Sequence, residues 1–181
     1  MSTALENNTI LSKKIFLIGF MGCGKSKLGK SIASKLDLPF LDLDDLVEAK
    51  NQMSIPELFA AFGENGFRER EKQTLQEAAI ANDAIIATGG GAPCFFDNME
   101  WMNNNGITVF IDTPIKVLAD RLINARVERP LIKGKSFDEL LTFIEAKLTE
   151  RRPFYNQAKI MLRGVDLSAD DLIEALSKVE G

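Results

Sequence analysis

The sequence predicts a three-layer α/β/α fold, in which a mostly parallel sheet is covered on both faces by helices. Apolar stretches of strand length alternate along the chain with stretches of helical spacing. At 181 residues, the chain is long enough to bury the core of one domain, which we expect to span residues 1–181. The first predicted strand is joined to the first helix by a glycine-rich loop, Gly19-Phe20-Met21-Gly22-Cys23-Gly24-Lys25-Ser26.

The first half of the chain contains three predicted strands, which are short and rich in apolar residues. These strands cover about residues 14–19, 39–42 and 84–88. Helices are predicted at about residues 25–36, 44–50, 55–62 and 64–81. Ser54 and Glu57 have the spacing of a capping box, and Pro56 between them suits a first helical turn. Gly63 separates the last two of these helices.

The second half continues the same alternation. Two further strands are predicted at about residues 107–111 and 158–162. Helices are predicted at about residues 97–104, 114–124, 136–152 and 168–179, the last with Ser168 as its cap. Two segments lack such a pattern: residues 1–12, which we expect to form a loose tail, and residues 125–136, which are polar, basic and irregular.

Composition excludes several classes of function. The net charge of −4 argues against a broad surface for nucleic acid or for anionic membrane. The chain has no histidine, which excludes a Ser-His-Asp or Cys-His mechanism and a histidine-ligated metal. With two distant cysteines, no secretory signal and no apolar run of membrane-span length, we expect a cytoplasmic protein that acts as a monomer.

The glycine-rich loop from Gly19 to Ser26 fits the Walker A spacing G-x-x-x-x-G-K-[ST], and its flanking strand and helix supply the required context. Glycines let backbone N–H groups turn inward around phosphate oxygens, and the helix N-terminus adds partial positive charge. Lys25 is expected to contact the β- and γ-phosphates, and Ser26 to ligate Mg²⁺. The loop therefore predicts a nucleoside triphosphate site.

An enzyme of this kind needs a carboxylate near Mg²⁺, and two segments offer one. Asp112 ends a strand of Walker B appearance, but Pro114 follows closely, so capping of the next helix by Asp112 or Thr113 is the favoured interpretation. Asp42 and Asp44 are two residues apart, and in an extended or turn segment they would face one cleft. The alternative is a solvated acidic turn that caps the next helix.

Three further features are consistent with a small-molecule substrate. Arg68 and Glu71 share a helix face, where a simple surface ion pair is the alternative to a binding role. The Gly89-Gly90-Gly91 stretch after the third strand indicates the close approach of a ligand or backbone, although a flexible turn would also explain it. The basic segment 125–136 resembles a lid, with a solvated loop as the alternative.

These motifs, in this order, resemble the shikimate kinase family over about residues 13–180. The resemblance rests on the glycine-rich loop and on a set of shorter motifs that are more specific than the loop. They are Phe40-Leu41-Asp42-Leu43-Asp44, Ser54-Ile55-Pro56-Glu57-Leu58-Phe59, Gly63-Glu64, Phe67-Arg68-x-x-Glu71, Gly89-Gly90-Gly91, Arg129-Pro130-Leu131 and Arg151-x-Pro153-x-Tyr155.

The resemblance implies transfer of a phosphoryl group from ATP, with Mg²⁺, to the 3-hydroxyl of shikimate in aromatic amino-acid biosynthesis. It also implies a five-stranded parallel sheet of the P-loop kinase type, with strand order 2-3-1-4-5. The segment of about residues 44–81 would form the substrate-binding helices, and residues 125–136 would form the lid. Partners other than the small-molecule substrate, such as nucleic acid or membrane, are not implied.

The resemblance also implies a set of site residues. ATP would be bound by Gly22, Cys23, Gly24, Lys25, Ser26, Lys27, Arg121 and Arg129. Shikimate would be bound by Asp44, Arg68, Gly89, Gly90, Gly91 and Arg151. Lys25, Asp44 and Arg129 would be catalytic, and Ser26 with Asp42 would hold Mg²⁺. Arg151 is preferred over the neighbouring Arg152 because of its spacing to Pro153 and Tyr155.

Two other interpretations compete with this one. A P-loop kinase of the gluconate kinase type would not need two arginines for a carboxylate together with Asp42, Asp44 and the three glycines. A regulatory GTPase would be expected to carry Asn-Lys-x-Asp and Asp-x-x-Gly motifs, and the sequence contains neither.

Overall fold

A five-stranded sheet forms the centre of this computed structural model, which describes residues 14–80, 83–126 and 129–179. The strands are β1 (Lys14–Ile18), β2 (Phe40–Asp42), β3 (Ile85–Ala87), β4 (Gly106–Asp112) and β5 (Ile160–Arg163). Every pairing is parallel, and the order is β2-β3-β1-β4-β5. The predicted sheet and its strand order are therefore confirmed. The predicted tail at residues 1–12 lies outside the described residues.

Seven α-helices connect and cover the strands in the described part of the chain. They are α1 (Lys25–Leu36), α2 (Leu43–Asn51), α3 (Ile55–Ile80), α4 (Asn98–Asn105), α5 (Ile115–Ile123), α6 (Phe137–Tyr155) and α7 (Ala169–Val179). Short 3₁₀ turns lie at Ala92–Cys94 and Pro130–Ile132. None of the described helices has the length and apolar character needed to cross a membrane.

The middle of the sheet is its most buried part, which explains the apolar runs in the sequence. Residues 15–18 of β1 are fully buried between the two helical layers. In α1, Gly29 brings the helix close to the sheet, because a β-carbon there would collide with the ring of Phe40 and would lie 3.1 Å from Leu17. The carboxyl ends of all five strands meet at one edge, where ligands collect in folds of this kind.

Helix α3 bends at Gly63, where φ is 68° and ψ is −178°. The left-handed φ is easy only for glycine, and it divides the element into the two helical segments that were predicted. The predicted capping box at its start is confirmed, since Ser54 and Glu57 exchange hydrogen bonds of 2.7 and 3.3 Å. The second segment carries Arg68 and Glu71 toward the carboxyl edge of the sheet.

The expected capping role of Asp112 or Thr113 is wrong. The residue before α5 is Pro114, and no side chain of a described residue caps that helix. Asp112 remains in β4, where it is nearly buried and accepts hydrogen bonds from Arg163 Nε at 2.9 Å and Arg152 Nη2 at 3.3 Å. It therefore ties β4 to β5 and to α6.

Other predictions needed smaller corrections. Helix α6 runs through Pro153 to Tyr155, whereas the sequence predicted an end at Arg152. A proline this near the end of a helix removes one hydrogen bond but leaves a last turn intact. Pro130–Ile132 forms a 3₁₀ turn within the segment predicted to be irregular, and residues 127 and 128 lie outside the described residues.

We predict that Asp112→Asn will lower the free energy of unfolding by about 1–2 kcal/mol, because it removes the charge shared by two arginines. The measurement is urea denaturation. Asp120→Asn is the matched control, since Asp120 is exposed and its carboxylate accepts one hydrogen bond from a described residue, Asn124, at 3.4 Å. A loss at position 112 no larger than that of the control would show that the two ion pairs add nothing to stability.

Candidate active site

A cleft of about 880 Å³ opens at the carboxyl edge of the sheet. Its walls come from the glycine-rich loop and the start of α1, from Asp42 and Asp44, from Gly89 and Gly90, and from residues 165–169. The volume is within the usual range for a small-molecule site of about 300–1,000 Å³. The cleft thus joins the predicted nucleotide site to part of the predicted acceptor site.

The glycine-rich loop owes its shape to three left-handed glycines. Gly19, Gly22 and Gly24 have φ values of 149°, 82° and 95°. A side chain at Gly19 would also lie 2.8 Å from the carbonyl oxygen of Ile111. No side chain in the described part of the chain caps the start of α1, where the N-cap residue is Gly24. Such a helix start binds phosphate readily.

Lys25 lies along the inside of this loop. Its ammonium group donates hydrogen bonds to the carbonyl oxygens of Gly19 at 2.7 Å and Phe20 at 3.1 Å. It also lies 3.6 Å from the sulfur of Cys23, a buried residue of the same loop. These contacts hold the positive charge at the mouth of the phosphate cradle.

Asp42 makes two contacts with different parts of the cleft. One oxygen accepts a hydrogen bond from Ser26 Oγ at 3.0 Å. The other accepts a hydrogen bond of 3.0 Å from the backbone N–H of Asp44 and so caps α2. The two interpretations offered by the sequence are therefore both correct in part, because Asp42 caps the next helix and also faces the serine expected to bind metal.

Asp44 faces the cleft for a different reason from the one predicted. It lies in the first turn of α2 and not in an extended segment, so the two-residue spacing does not set its direction. Its carboxyl group is largely withdrawn from solvent. Burial raises its pKa above the ordinary value, and the negative charge of Asp42 raises the pKa further, while the nearby Lys25 lowers it.

The three glycines after β3 leave space for three charged side chains. A β-carbon would lie 2.9 Å from Asp44 Oδ1 at Gly89, 3.0 Å from Arg151 Nη1 at Gly90, and 2.5 Å from Arg68 Nη2 at Gly91. None of these glycines has a left-handed φ. They are therefore needed for close approach and not for backbone freedom. The sequence pattern predicted the close approach of a ligand or backbone, whereas the nearest neighbours of these glycines are charged side chains of the site.

Arg68 is held in place on a buried part of α3. Its Nη1 lies 2.8 Å from Glu71 Oε1, which confirms the predicted pairing of these residues. Glu71 is almost wholly buried, and burial raises the pKa of its carboxyl group while Arg68 lowers it. The Nε atom of Arg68 has no hydrogen-bond partner among the described residues. The arginine therefore keeps donor capacity for a ligand.

Arg151 and Arg152 are adjacent in α6 but lie in different surroundings. Arg151 lies beside Gly90, with its guanidinium carbon 5.4 Å from the ring centre of Phe20. Arg152 instead pairs with Asp112. The buried hydroxyl of Tyr155 donates to the carbonyl of Gly90, so the last turn of α6 is attached directly to the glycine stretch.

The remaining residues predicted for ATP surround the other end of the cleft. Arg121 donates hydrogen bonds to the carbonyls of Gly22 at 3.1 Å and Val165 at 2.6 Å, and so connects the glycine-rich loop to the loop after β5. Lys27 and Arg129 are exposed and also line the cleft. Residues 165–169 form a wall in which no contact residue was predicted from the sequence, although their position after a parallel strand was a signal.

The oxygens of Ser26 and Asp42 suit a hard cation such as Mg²⁺, which prefers oxygen ligands and keeps several waters or phosphate oxygens. No group of three or more acidic or cysteine side chains within the described ranges could form a metal site of its own. A metal here would consequently depend on a phosphate ligand for much of its coordination.

Comparisons with known proteins agree with this geometry. The family model "Shikimate kinase" matches residues 21–179. A shikimate kinase from Bacteroides fragilis is 52% identical over 145 residues, covering 80% of this chain and 81% of the relative.

Two solved structures of shikimate kinases share the fold. The enzyme from Bacteroides thetaiotaomicron has a TM-score of 0.84 at 44% identity, covering 93% of this chain and 96% of that one. The enzyme from Acinetobacter baumannii, in complex with shikimate, has a TM-score of 0.81 at 31% identity, covering 97% of this chain and 96% of that one. The resemblance seen in the sequence motifs is confirmed, and the chain belongs to the shikimate kinase family.

Proposed function

We propose that the protein transfers the γ-phosphoryl group of ATP to the 3-hydroxyl of shikimate, giving shikimate 3-phosphate and ADP. The observation that carries the proposal is the contact of three glycines with Asp44, Arg68 and Arg151, next to the phosphate-binding loop. This arrangement supplies two cations for a carboxylate and one carboxylate for a hydroxyl group. Membership of the shikimate kinase family supports the same reaction.

The donor half of the reaction belongs to the glycine-rich loop and its surroundings. Backbone N–H groups and Lys25 would bind the phosphates and stabilise the charge that develops on the transferring group. Mg²⁺ would be held by Ser26 and Asp42, whose oxygens are 3.0 Å apart, and when bound it would neutralise charge on the phosphate oxygens. Arg121 and residues 165–169 would hold the rest of the nucleotide.

The acceptor half would orient shikimate through its carboxylate. Arg68 and Arg151 would bind that group by charge-assisted hydrogen bonds, and Glu71 would keep Arg68 in place. Asp44 would accept a hydrogen bond from the 3-hydroxyl and take its proton as the phosphoryl group arrives. A raised pKa makes this carboxylate a better proton acceptor than an ordinary aspartate, although a loose transition state needs little help from a base.

Residues 125–136 would act as a lid over the cleft. Arg129, which lines the cleft, would reach the phosphates of ATP and add positive charge to the transferring group. Closure of the segment would exclude water, which otherwise competes with shikimate as the phosphoryl acceptor.

The proposed reaction predicts ADP release that depends on shikimate. A coupled assay with ATP would compare shikimate, gluconate and nucleoside monophosphates as acceptors. Of these acceptors, we expect only shikimate to support ADP release. Lys25→Ala is the inactive reference, because it removes a phosphate contact that strengthens in the transition state. Turnover with gluconate or a nucleotide in place of shikimate would overturn the assignment.

Arg68→Lys should raise the KM for shikimate about tenfold or more, because lysine keeps the charge but loses the planar fork that matches a carboxylate. The KM for ATP should change less than about twofold, since the arginine is not in the phosphate cradle. Arg70→Lys is the matched control, because Arg70 lies two residues away and bonds the carbonyl of Gly66. Equal losses for both substrates would contradict the carboxylate role.

The lid assignment predicts a change in amide hydrogen exchange. Residues 125–135 should exchange at least roughly tenfold more slowly when shikimate and a non-hydrolysable ATP analogue are both bound. Peptides from α4 serve as an internal reference, since none of the residues of that helix lines the cleft and it lies outside the proposed lid. Exchange that is unchanged in residues 125–135 would identify the segment as a passive loop.

A further inference from the structure

We propose that Phe95 is a positioning residue for shikimate binding, because its ring lies against the guanidinium group of Arg68 and fixes the plane of that group. The inference rests on the proposed function, in which Arg68 binds the carboxylate of shikimate. The guanidinium carbon of Arg68 is 4.2 Å from the centre of the Phe95 ring. That distance is well inside the range of about 6 Å for a cation–π contact.

The guanidinium group of Arg68 has carboxylates near its nitrogen atoms and an aromatic ring against its plane. Glu71 occupies Nη1 at 2.8 Å, and Glu64 lies farther away, at 3.8 Å from Nη2. Nε has no hydrogen-bond partner among the described residues. Carboxylates pair with arginine in the plane of the guanidinium, so the direction in which Nε and Nη2 point depends on the orientation of that plane. Glu71 restrains one nitrogen, and the aromatic ring restrains rotation of the whole group.

Phe95 is held in position by an ordered turn. The 3₁₀ turn Ala92–Cys94 follows the glycine stretch directly, and the buried side chain of Asn98 donates to the carbonyl of Ala92 at 2.8 Å. The next residue, Phe96, has a left-handed φ of 50°, which is uncommon for a bulky residue. The backbone is thus fixed on both sides of Phe95.

A second set of contacts joins this turn to α3, the helix that carries Arg68. Lys72 Nζ lies 2.6 Å from Asp97 Oδ1, and the same ammonium group lies 5.2 Å from the centre of the Phe96 ring. The segment that follows the 3₁₀ turn, residues 95–97, therefore contacts α3 at two places, Arg68 and Lys72. Movement of Phe95 relative to Arg68 is limited by this attachment.

The other aromatic residues near Arg68 do not have the same relation to it. Phe67 is adjacent in sequence, with its ring centre 5.1 Å from the guanidinium carbon, but its ring is buried and stacks on Phe59 at 4.5 Å. It belongs mainly to the core. Phe96 is exposed and faces Lys72 instead. Phe95 is half-buried and makes the shorter contact with the arginine.

The test compares Phe95→Leu, which keeps an apolar side chain but removes the ring, with Phe95→Tyr, which keeps the ring. Phe95→Leu should raise the KM for shikimate about three- to tenfold, with little change in kcat or in the KM for ATP. Phe95→Tyr should stay within about twofold of the unmodified enzyme. Phe62→Leu is the matched control, because the guanidinium carbon of Arg70 lies 3.6 Å from the centre of the Phe62 ring, and both KM values should stay unchanged.

A double-mutant cycle tests whether Phe95 acts through Arg68. In the Arg68→Gln background, Phe95→Leu should lower kcat/KM for shikimate by less than about twofold, because the cation that the ring contacts is gone. Equal losses with and without Arg68 would overturn the proposal. A KM for shikimate that Phe95→Leu leaves unchanged would overturn it as well.

Two further measurements keep the test decisive. If Phe95→Leu fails to fold, as judged by circular dichroism, Phe95→Met replaces it and is held to the same expected KM change. Failure of the proposed function would appear separately, as an unmodified enzyme that does not turn over shikimate. An unmodified enzyme that is active on shikimate, with Phe95→Leu and Phe95→Tyr behaving alike, would refute only the role of Phe95.

Discussion

The site depends on a constraint of space at the end of β3. Three successive residues have no side chain, and the positions where β-carbons would stand are approached closely by Asp44, Arg151 and Arg68. These groups come from α2, α3 and α6, so two consecutive helices and one from much later in the chain meet at one short stretch of backbone. Any side chain larger than hydrogen would push a charged group away from the cleft.

The same concentration of charge has an electrostatic cost, which neighbouring groups offset. Glu71 is almost fully buried, and its contact with Arg68 compensates for part of the lost hydration. Asp44 is also withdrawn from solvent beside a second carboxylate, with Lys25 as the cation that opposes both effects on its pKa. These pairs offset part of the cost of holding charged groups away from water in the site.

Features set by short stretches of sequence were the ones that could be predicted. The glycine-rich loop before α1, the capping box at Ser54 and the break at Gly63 all follow from local residue chemistry, and the structure has each of them. Asp112 was misjudged because its partners, Arg152 and Arg163, are distant in sequence. The direction of Asp44 depends on where α2 begins, and the contact of Phe95 with Arg68 depends on tertiary packing, which periodicity does not reveal.

Asp42 links the two halves of the cleft through a single carboxylate. One oxygen contacts Ser26 of the phosphate site, and the other holds the first turn of the helix that carries Asp44. A ligand that rotates the Asp42 carboxylate by contact with one oxygen would also change the hydrogen bond of the other oxygen. Because such coupling is reciprocal, the phosphate donor and the acceptor should alter each other's affinity by the same factor. If donor and acceptor bind as proposed, this carboxylate would connect the two substrates through two hydrogen bonds.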